Sequence, residues 1–408
     1  MGMKPFDPFD PQLKSDPYGL FKQYRQNNPI QLGCSTTPGY ADTWYFFGFE
    51  EARQLLRCDL HEPQKRIEGL VPETPPDARA KIWQHLSGWP LFQDPPLHTS
   101  RRAMLASSFR DPALAILNHA TEQHADVLLG NILAKNTDEL DIQTEFAFPL
   151  AVAAIFRAVG IPAPDTAWFK NITRKLVNVL DLGYVSDAYE PGLAALNELI
   201  DFVQEMTRWK TSHLDNDLLS ALIKTDAEGQ KLADDVITQL ITQILFAGQE
   251  TVADAIGNGV HALVTNPDQL AKLRVNPALM SNLITEVLRY NNPVMFMGSR
   301  ILPNDKKIGH IVIPAGQPTI VAVAACNHDP RRFDKPQQLD INRDLTNTEL
   351  SFGHGIHYCL GAHYARQVMQ IAFTALLDKL PQKWEIAAPA VWRPNTILRG
   401  PLSLRILR

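Results

Sequence analysis

The chain has 408 residues, 45% of them apolar and 20% charged, the balance of a folded globular protein rather than a disordered or fibrous one. A net charge of −5 gives no footing for nucleic acid. The polar, proline-bearing start Met1-Gly2-Met3-Lys4-Pro5 suits neither a signal peptide nor an anchor.

The helical pattern begins where Asp16-Pro17-Tyr18-Gly19 leads into a short helix through Tyr24. Trp44–Phe47 reads as a strand, followed by a helix from Glu50 to about Leu56. Helical stretches recur at 100–109, 112–134, 146–159, 166–180 and 191–212. The apolar run Phe146–Phe156 is shorter than the roughly 20 residues of a membrane span, so no membrane anchor and a cytoplasmic location are expected. The strongest pattern runs from Ala233 to Val264, with Val236, Leu240, Ile244, Ala247, Thr251, Ile256, Val260 and Leu263 at helical spacing. As one helix it would measure roughly 45–50 Å. Further helices are predicted at 267–273, 277–290 and 362–380, and strands at 311–313, 319–324 and around 402–405. No linker, repeat or low-complexity block divides this order, so residues 1–408 are expected to form one domain, mainly α with a smaller antiparallel β region.

Four cysteines, Cys34, Cys58, Cys326 and Cys359, are spread without any metal-binding spacing, which points to a reducing compartment. Cys359 stands apart. It lies in Phe352-Gly353-His354-Gly355-Ile356-His357-Tyr358-Cys359-Leu360-Gly361, just before the predicted helix at Ala362. A thiol there faces unpaired N–H groups and the positive end of a helix dipole, which favour the thiolate. The glycines let backbone approach a large flat partner. Upstream, Ala247-Gly248-Gln249-Glu250-Thr251 sits mid-helix. Its Ala-Gly step leaves room on one face, and the threonine hydroxyl can bond back to a carbonyl one turn earlier. Glu286-Val287-Leu288-Arg289 sets opposite charges three apart on a helix.

Together these strings resemble the cytochrome P-450 family. The resemblance implies the cytochrome P-450 fold, a triangular helical prism around a buried haem b (iron protoporphyrin IX) whose iron takes the Cys359 thiolate as ligand. It implies a soluble, bacterial-type monooxygenase that uses O2 to hydroxylate or epoxidise a mainly hydrophobic small organic substrate. Glu250 and Thr251 match the pair that delivers protons during oxygen activation. Glu286 and Arg289 match a buried structural pair, with Arg343 of Asp340-Ile341-Asn342-Arg343 as third partner. Ala247, Gly248, Phe352, Gly353 and Gly361 fall in the haem-contacting motifs. His98 and Arg102, four apart in Asp94-Pro95-Pro96-Leu97-His98-Thr99-Ser100-Arg101-Arg102, match propionate ligands, as do Arg300 and His357. Leu97 departs from the acid usual at its position, and Asn327-His328-Asp329-Pro330 resembles a further family turn.

The family's variable segments correspond here to Trp83, Trp89, Leu91 and Phe92, then Phe246 and Ala247, then Val294, Met295, Phe296 and Met297, and finally Ile397 and Leu398. They predict an apolar pocket, with Met295–Met297 as an adaptable wall. The chain has no flavin, dinucleotide or iron–sulfur fingerprint, so electrons are expected from separate proteins, ferredoxin and ferredoxin reductase or equivalents. Arg101, Arg110, His363 and Arg366 are candidates for a basic docking patch. Two alternatives remain. One is a peroxide-driven or oxygen-independent haem-thiolate enzyme; the other is a non-catalytic haem-binding sensor, which would leave Glu250 beside Thr251 unexplained.

Overall fold

A computed structural model describes residues 4–33, 43–57, 77–106, 111–135, 137–181, 186–224, 231–345 and 349–407. Cys34, Cys58 and Arg110 lie outside the described residues. A four-stranded sheet joins the two ends of the chain. It is built from β1 (Ile30–Gly33), β2 (Thr43–Phe46), β3 (Met297–Ile301) and β4 (Pro318–Val321), in the spatial order β1-β2-β4-β3. The pair β2–β4 is parallel, with Tyr45 opposite Ile320; its neighbours are antiparallel. The short strand Arg405–Leu407 pairs with Glu139–Asp141 and with Glu385–Ile386.

Lys306–Ile308 pairs with Ile311–Ile313, and Val391–Trp392 with Pro401–Ser403; helices dominate the rest. Those that place the site are α1 (Asp77–Leu86), α2 (Leu97–Ala106), α3 (Phe148–Val159), α4 (Thr166–Leu180), α5 (Tyr189–Lys210), α6 (Asp234–Ala247), α7 (Glu250–Thr265), α8 (Met280–Tyr290) and α9 (Ala362–Lys379). Local chemistry sets their ends. Asp16 accepts from the Gly19 N–H at 2.9 Å and caps the helix Pro17–Asn27, while Asp165 caps α4 by accepting from Trp168 N–H at 2.8 Å. Gly160 ends α3 with φ +89°. Almost every side chain of α7 from Val252 to Leu263 is buried, so this helix is the axis of the core and not an amphipathic cover.

Three departures from the sequence reading matter. The single helix expected from Ala233 to Val264 is two, α6 and α7, parted at Gly248-Gln249. The strand expected over 319–324 stops at Val321, and Val323–Cys326 turns helical. The helix expected from Phe146 is preceded by a π-helical turn, Ile142–Ala147, capped by Asp141. The continuous run Ile142–Val159 has the length and apolarity to cross a membrane, but two-thirds of it is buried inside the fold, as befits a core helix.

Candidate active site

The break between α6 and α7 falls at Gly248-Gln249. Gly248 is closely packed: a Cβ there would stand 2.5 Å from Ile155 Cδ1 of α3. Ile155 thus fills the side of Gly248 where a Cβ would sit, while the glycine keeps part of its surface accessible. Ala247 keeps more of its surface accessible in mid-core. The Thr251 hydroxyl donates to the Ala247 carbonyl at 2.9 Å, the back-bond its position predicts. Glu250 is buried on another side of α7. Its Oε1 accepts from the Thr173 hydroxyl of α4 at 2.8 Å, and its Oε2 from Arg393 Nη2. The acid is thus held by two partners that sequence reasoning missed, since Thr173 and Arg393 lie 77 and 143 positions away.

The cysteine loop folds as its glycines require. Gly353 and Gly355 have φ of +78° and +74°, and a Cβ on Gly355 would stand 2.3 Å from the Leu56 carbonyl oxygen. Cys359 N–H donates to Phe352 O at 2.8 Å, closing the loop onto the first turn of α9. Arg366 lies over the Phe352 ring, 5.0 Å from its centroid. The expectation of an easily formed thiolate needs correction. The protein packed around Cys359 pushes its thiol up, although the Gly361 N–H and the Arg102 charge both pull it down. A bound cation would draw the proton off.

The predicted basic groups gather around this loop. Arg102 Nη2 donates to the Tyr358 carbonyl at 2.6 Å. The rings of His98 and His357 are 4.3 Å apart, and Asp94 Oδ1 stands 3.8 Å from His357 Nε2. Arg300, buried, arrives on β3, the strand whose Met297 methyl lies 3.3 Å from the Cβ position of Gly353. A thiol with an accessible face, a loop flattened by two left-handed glycines and two histidines with two arginines suit a flat iron porphyrin bearing carboxylates. The residues present therefore fit haem.

The apolar candidates are only partly brought together. Trp89 packs 5.4 Å from Phe246 and 6.2 Å from Phe92, and Trp83 meets Phe92 edge-on at 5.7 Å. Trp89 Nε1 donates to Thr242 Oγ1 at 3.2 Å. His85 Nε2 pairs with the same hydroxyl at 2.8 Å, which ties α1 to α6. Burial lowers His85 to about 4, so this tie is made by a neutral imidazole at neutral pH. Leu91 joins none of these ring contacts and stays 45% exposed. Val294 bridges to Leu398, and Met295 N–H donates to Ile397 O at 2.9 Å. Asp181, at the end of α4, accepts from Thr396 Oγ1 at 2.6 Å and from Ile397 N–H at 2.8 Å, fixing that turn.

Phe296 is a miss. It is enclosed with Phe21 at 5.6 Å, Phe6 at 6.0 Å and Tyr45 at 6.4 Å in an apolar cluster on the sheet, where Met295 is buried too. The expected wall Met295–Met297 is therefore core except for Met297. Tyrosine and phenylalanine contributed by residues 6–47 claim these side chains, and local sequence gives no sign of that.

The structural pair is as expected. Glu286 and Arg289 are both 0% exposed, with Arg289 Nε 2.7 Å and Nη2 2.8 Å from the carboxylate. Arg289 also donates to the carbonyls of Asn327, Pro336 and Gln338. Arg343 Nε lies 3.3 Å from Glu286, and Asp340 N–H donates to Glu286 Oε1 at 2.9 Å.

On the outer side of the cysteine loop a hollow of about 370 Å³ is lined by Arg102, Tyr358, Cys359, Leu360, Ala362, His363 and Arg366. Arg101 is not part of it. Its guanidinium is turned to Gly88 O and, at 3.2 Å, to Gln239 Oε1.

Comparison with known proteins agrees with this geometry. The family model described as Cytochrome P450 matches residues 188–388. The Cytochrome P450 monooxygenase PikC of Streptomyces venezuelae is 33% identical over 96% of this chain and 91% of its own. Vitamin D(3) 25-hydroxylase of Pseudonocardia autotrophica is 32% identical over 98% and 95%. The solved structure of P450BioI in complex with a hexadec-9Z-enoic acid ligated acyl carrier protein superposes with TM-score 0.87 at 27% identity, covering 98% of this chain and 100% of that one. The chain belongs to the cytochrome P450 family: it is a monooxygenase that binds haem b through a cysteine thiolate, takes O2 as co-substrate and oxygenates hydrophobic compounds with electrons from partner proteins.

Proposed function

We propose that Cys359 is the thiolate ligand, that His98, Arg102, Arg300 and His357 hold the propionates, and that Glu250 and Thr251 manage protons at the site. The observation that carries this assignment is a contrast between two thiols. Cys326 is buried with its sulfur against the Phe46 and Gly48 carbonyls at 3.6 and 3.5 Å, whereas Cys359 keeps an accessible face at the start of α9. Haem held there supplies the redox centre at which O2 is activated and one oxygen atom passes to the substrate.

The residues do the rest. Thr251, back-bonded to Ala247, presents its hydroxyl beside the accessible surface of that alanine. Glu250 keeps a carboxyl one residue away, fixed by Thr173 and Arg393. Trp83, Trp89, Phe92 and Phe246 exclude water and receive an apolar substrate, and Val294 and Ile397 face it from the C-terminal side. We read residues 1–408 as one unit acting in the cytoplasm; a sheet that pairs residues 44–46 with 319–321 supports the single unit. Thr251→Ala is expected to keep haem but send electrons to peroxide, lowering product per electron about tenfold. Unchanged coupling would place the proton group elsewhere. Screening apolar compounds for a Soret shift, then for product with O2 and redox partners but not with peroxide alone, tests the whole assignment.

A ferredoxin, served by a ferredoxin reductase, is the proposed donor. The hollow offers the cations Arg102 and Arg366 beside His363 and next to exposed Ile356 and Tyr358, the mixture that suits a small acidic protein. Arg366 is partly spent on Glu349 at 2.6 Å, so exposed His363 is the cleaner probe. His363→Glu is expected to slow reduction by ferredoxin several-fold at low salt, and less as salt rises. An unchanged rate at low salt would move the donor to another face.

A further inference from the structure

One face of α7 is polar where the rest of the helix is core. Glu250, Asp254 and Asn258 follow one another at four-residue spacing, 2%, 0% and 0% exposed. Asp254 Oδ1 accepts from Arg393 Nη2 at 3.1 Å and from Gln143 Nε2 at 3.3 Å. The same Arg393 nitrogen donates to Glu250 Oε2. Asp254 Oδ2 is buried with no hydrogen-bond partner among the described residues, and Gln143 Oε1 and Asn258 Oδ1 share that condition. The Gly400 backbone walls the carboxyl off, since a Cβ there would stand 2.1 Å from Asp254 Cγ.

Two carboxyls thus meet at one guanidinium nitrogen in the buried core. Ionising the second of two buried acids is costly, which favours keeping one of them neutral. The charged groups that face them are Arg393 from the C-terminal segment and, from α4, half-buried Arg174 toward both acids and Lys170 toward Glu250. Gln143 and Asn258 are neutral.

We propose that Asp254 is the proton store of the site: as the neutral acid of the pair it supplies the proton that Glu250 passes on during turnover. The inference rests on the assignment of Glu250 made above. Asp254 gives its proton to Glu250, Glu250 passes it toward the reaction and returns to a carboxylate, and solvent returns one to Asp254. Only O–H bonds break and form, and no electrons move. The buried acceptors on Asp254, Gln143 and Asn258 are placed to bind ordered waters that would carry the returning proton. Burial, the largest influence on Asp254, raises it to about 7 against the pull of Arg393. Its neutral form is therefore abundant below pH 7 and lost above. Asp254 acts through Glu250 and is a positioning residue for protons, not a catalytic one.

Infrared spectra of the ferric holoprotein from about pH 5 to 9 test this. The native protein is expected to show the carbonyl band of a buried carboxylic acid that fades as pH rises through about 7. Asp254→Asn should lack that band, keep the family's carbon-monoxide difference band, and yield about tenfold less product per electron. Asp254→Glu should restore both band and yield. The same acid band persisting in Asp254→Asn, or native coupling in that variant, overturns the proposal. Native coupling in Glu250→Gln would sink the assignment of Glu250, and the proton store with it.

Discussion

Cys359→Ala protein is expected to lose the carbon-monoxide difference band altogether and to fall to background in substrate oxygenation, while its far-ultraviolet spectrum stays helical. The sulfur is the only part of the side chain removed, and the loop around it is held by other bonds. Cys359 N–H to Phe352 O, Arg102 to Tyr358 O and the left-handed glycines do not involve the thiol. Without sulfur the iron has no anionic ligand there, and the electron density that thiolate ligation provides is gone. Cys326→Ala is the matched control. It removes one buried sulfur at a cost of about 1 kcal/mol and should leave the band intact. A band retained in Cys359→Ala, or lost in Cys326→Ala, would reverse the assignment of ligand.

Arg289→Leu is expected to cripple folding rather than chemistry. The guanidinium is wholly enclosed, bonded twice to Glu286 and to three backbone carbonyls, and Glu286 also holds Arg343 and Asp340 N–H. Removing one partner of a buried pair costs about 3–5 kcal/mol, because the remaining charge stays in the dry core. Total stability of a protein is about 5–15 kcal/mol, so the loss takes a large share. Soluble yield, haem content and melting temperature should all drop. Arg289→Lys should not rescue them, since a lysine cannot span acceptors spread around a planar fork. Glu286→Gln should be milder, because Arg289 keeps its three carbonyls. A melting temperature unchanged in Arg289→Leu would show that the pair carries no such load.

The parts of the site that were legible in sequence are those whose chemistry is local. Cys359 before α9, Thr251 one turn after Ala247, and Glu286 three before Arg289 each declare themselves by spacing along one element. Arg343 was legible only through family resemblance, yet its guanidinium does reach Glu286. The parts that were not legible depend on distant chain. Arg393 reaches Glu250 and Asp254 from the C-terminal segment, and Thr173 reaches Glu250 from α4; neither residue type is distinctive in its own neighbourhood. Phe296 looked like a wall because it is apolar and near the right motif, but residues 6, 21 and 45 enclose it. The break at Gly248 was half visible. Apolar periodicity continues through it, and the close packing of Ile155 from another helix against the glycine is not readable locally.

The parallel pairing of β2 with β4 also has a consequence for how the molecule is made. Strand Thr43–Phe46 has nothing to pair with on that edge until Pro318–Val321 has been synthesised. At about 5–20 residues per second the ribosome takes roughly 15–50 s to cover that interval. Throughout that time an apolar strand edge stands open, the kind of surface that recruits holding chaperones or pairs with a neighbouring nascent chain. Yield in a heterologous host should therefore respond to translation speed and chaperone supply even where the finished protein is stable.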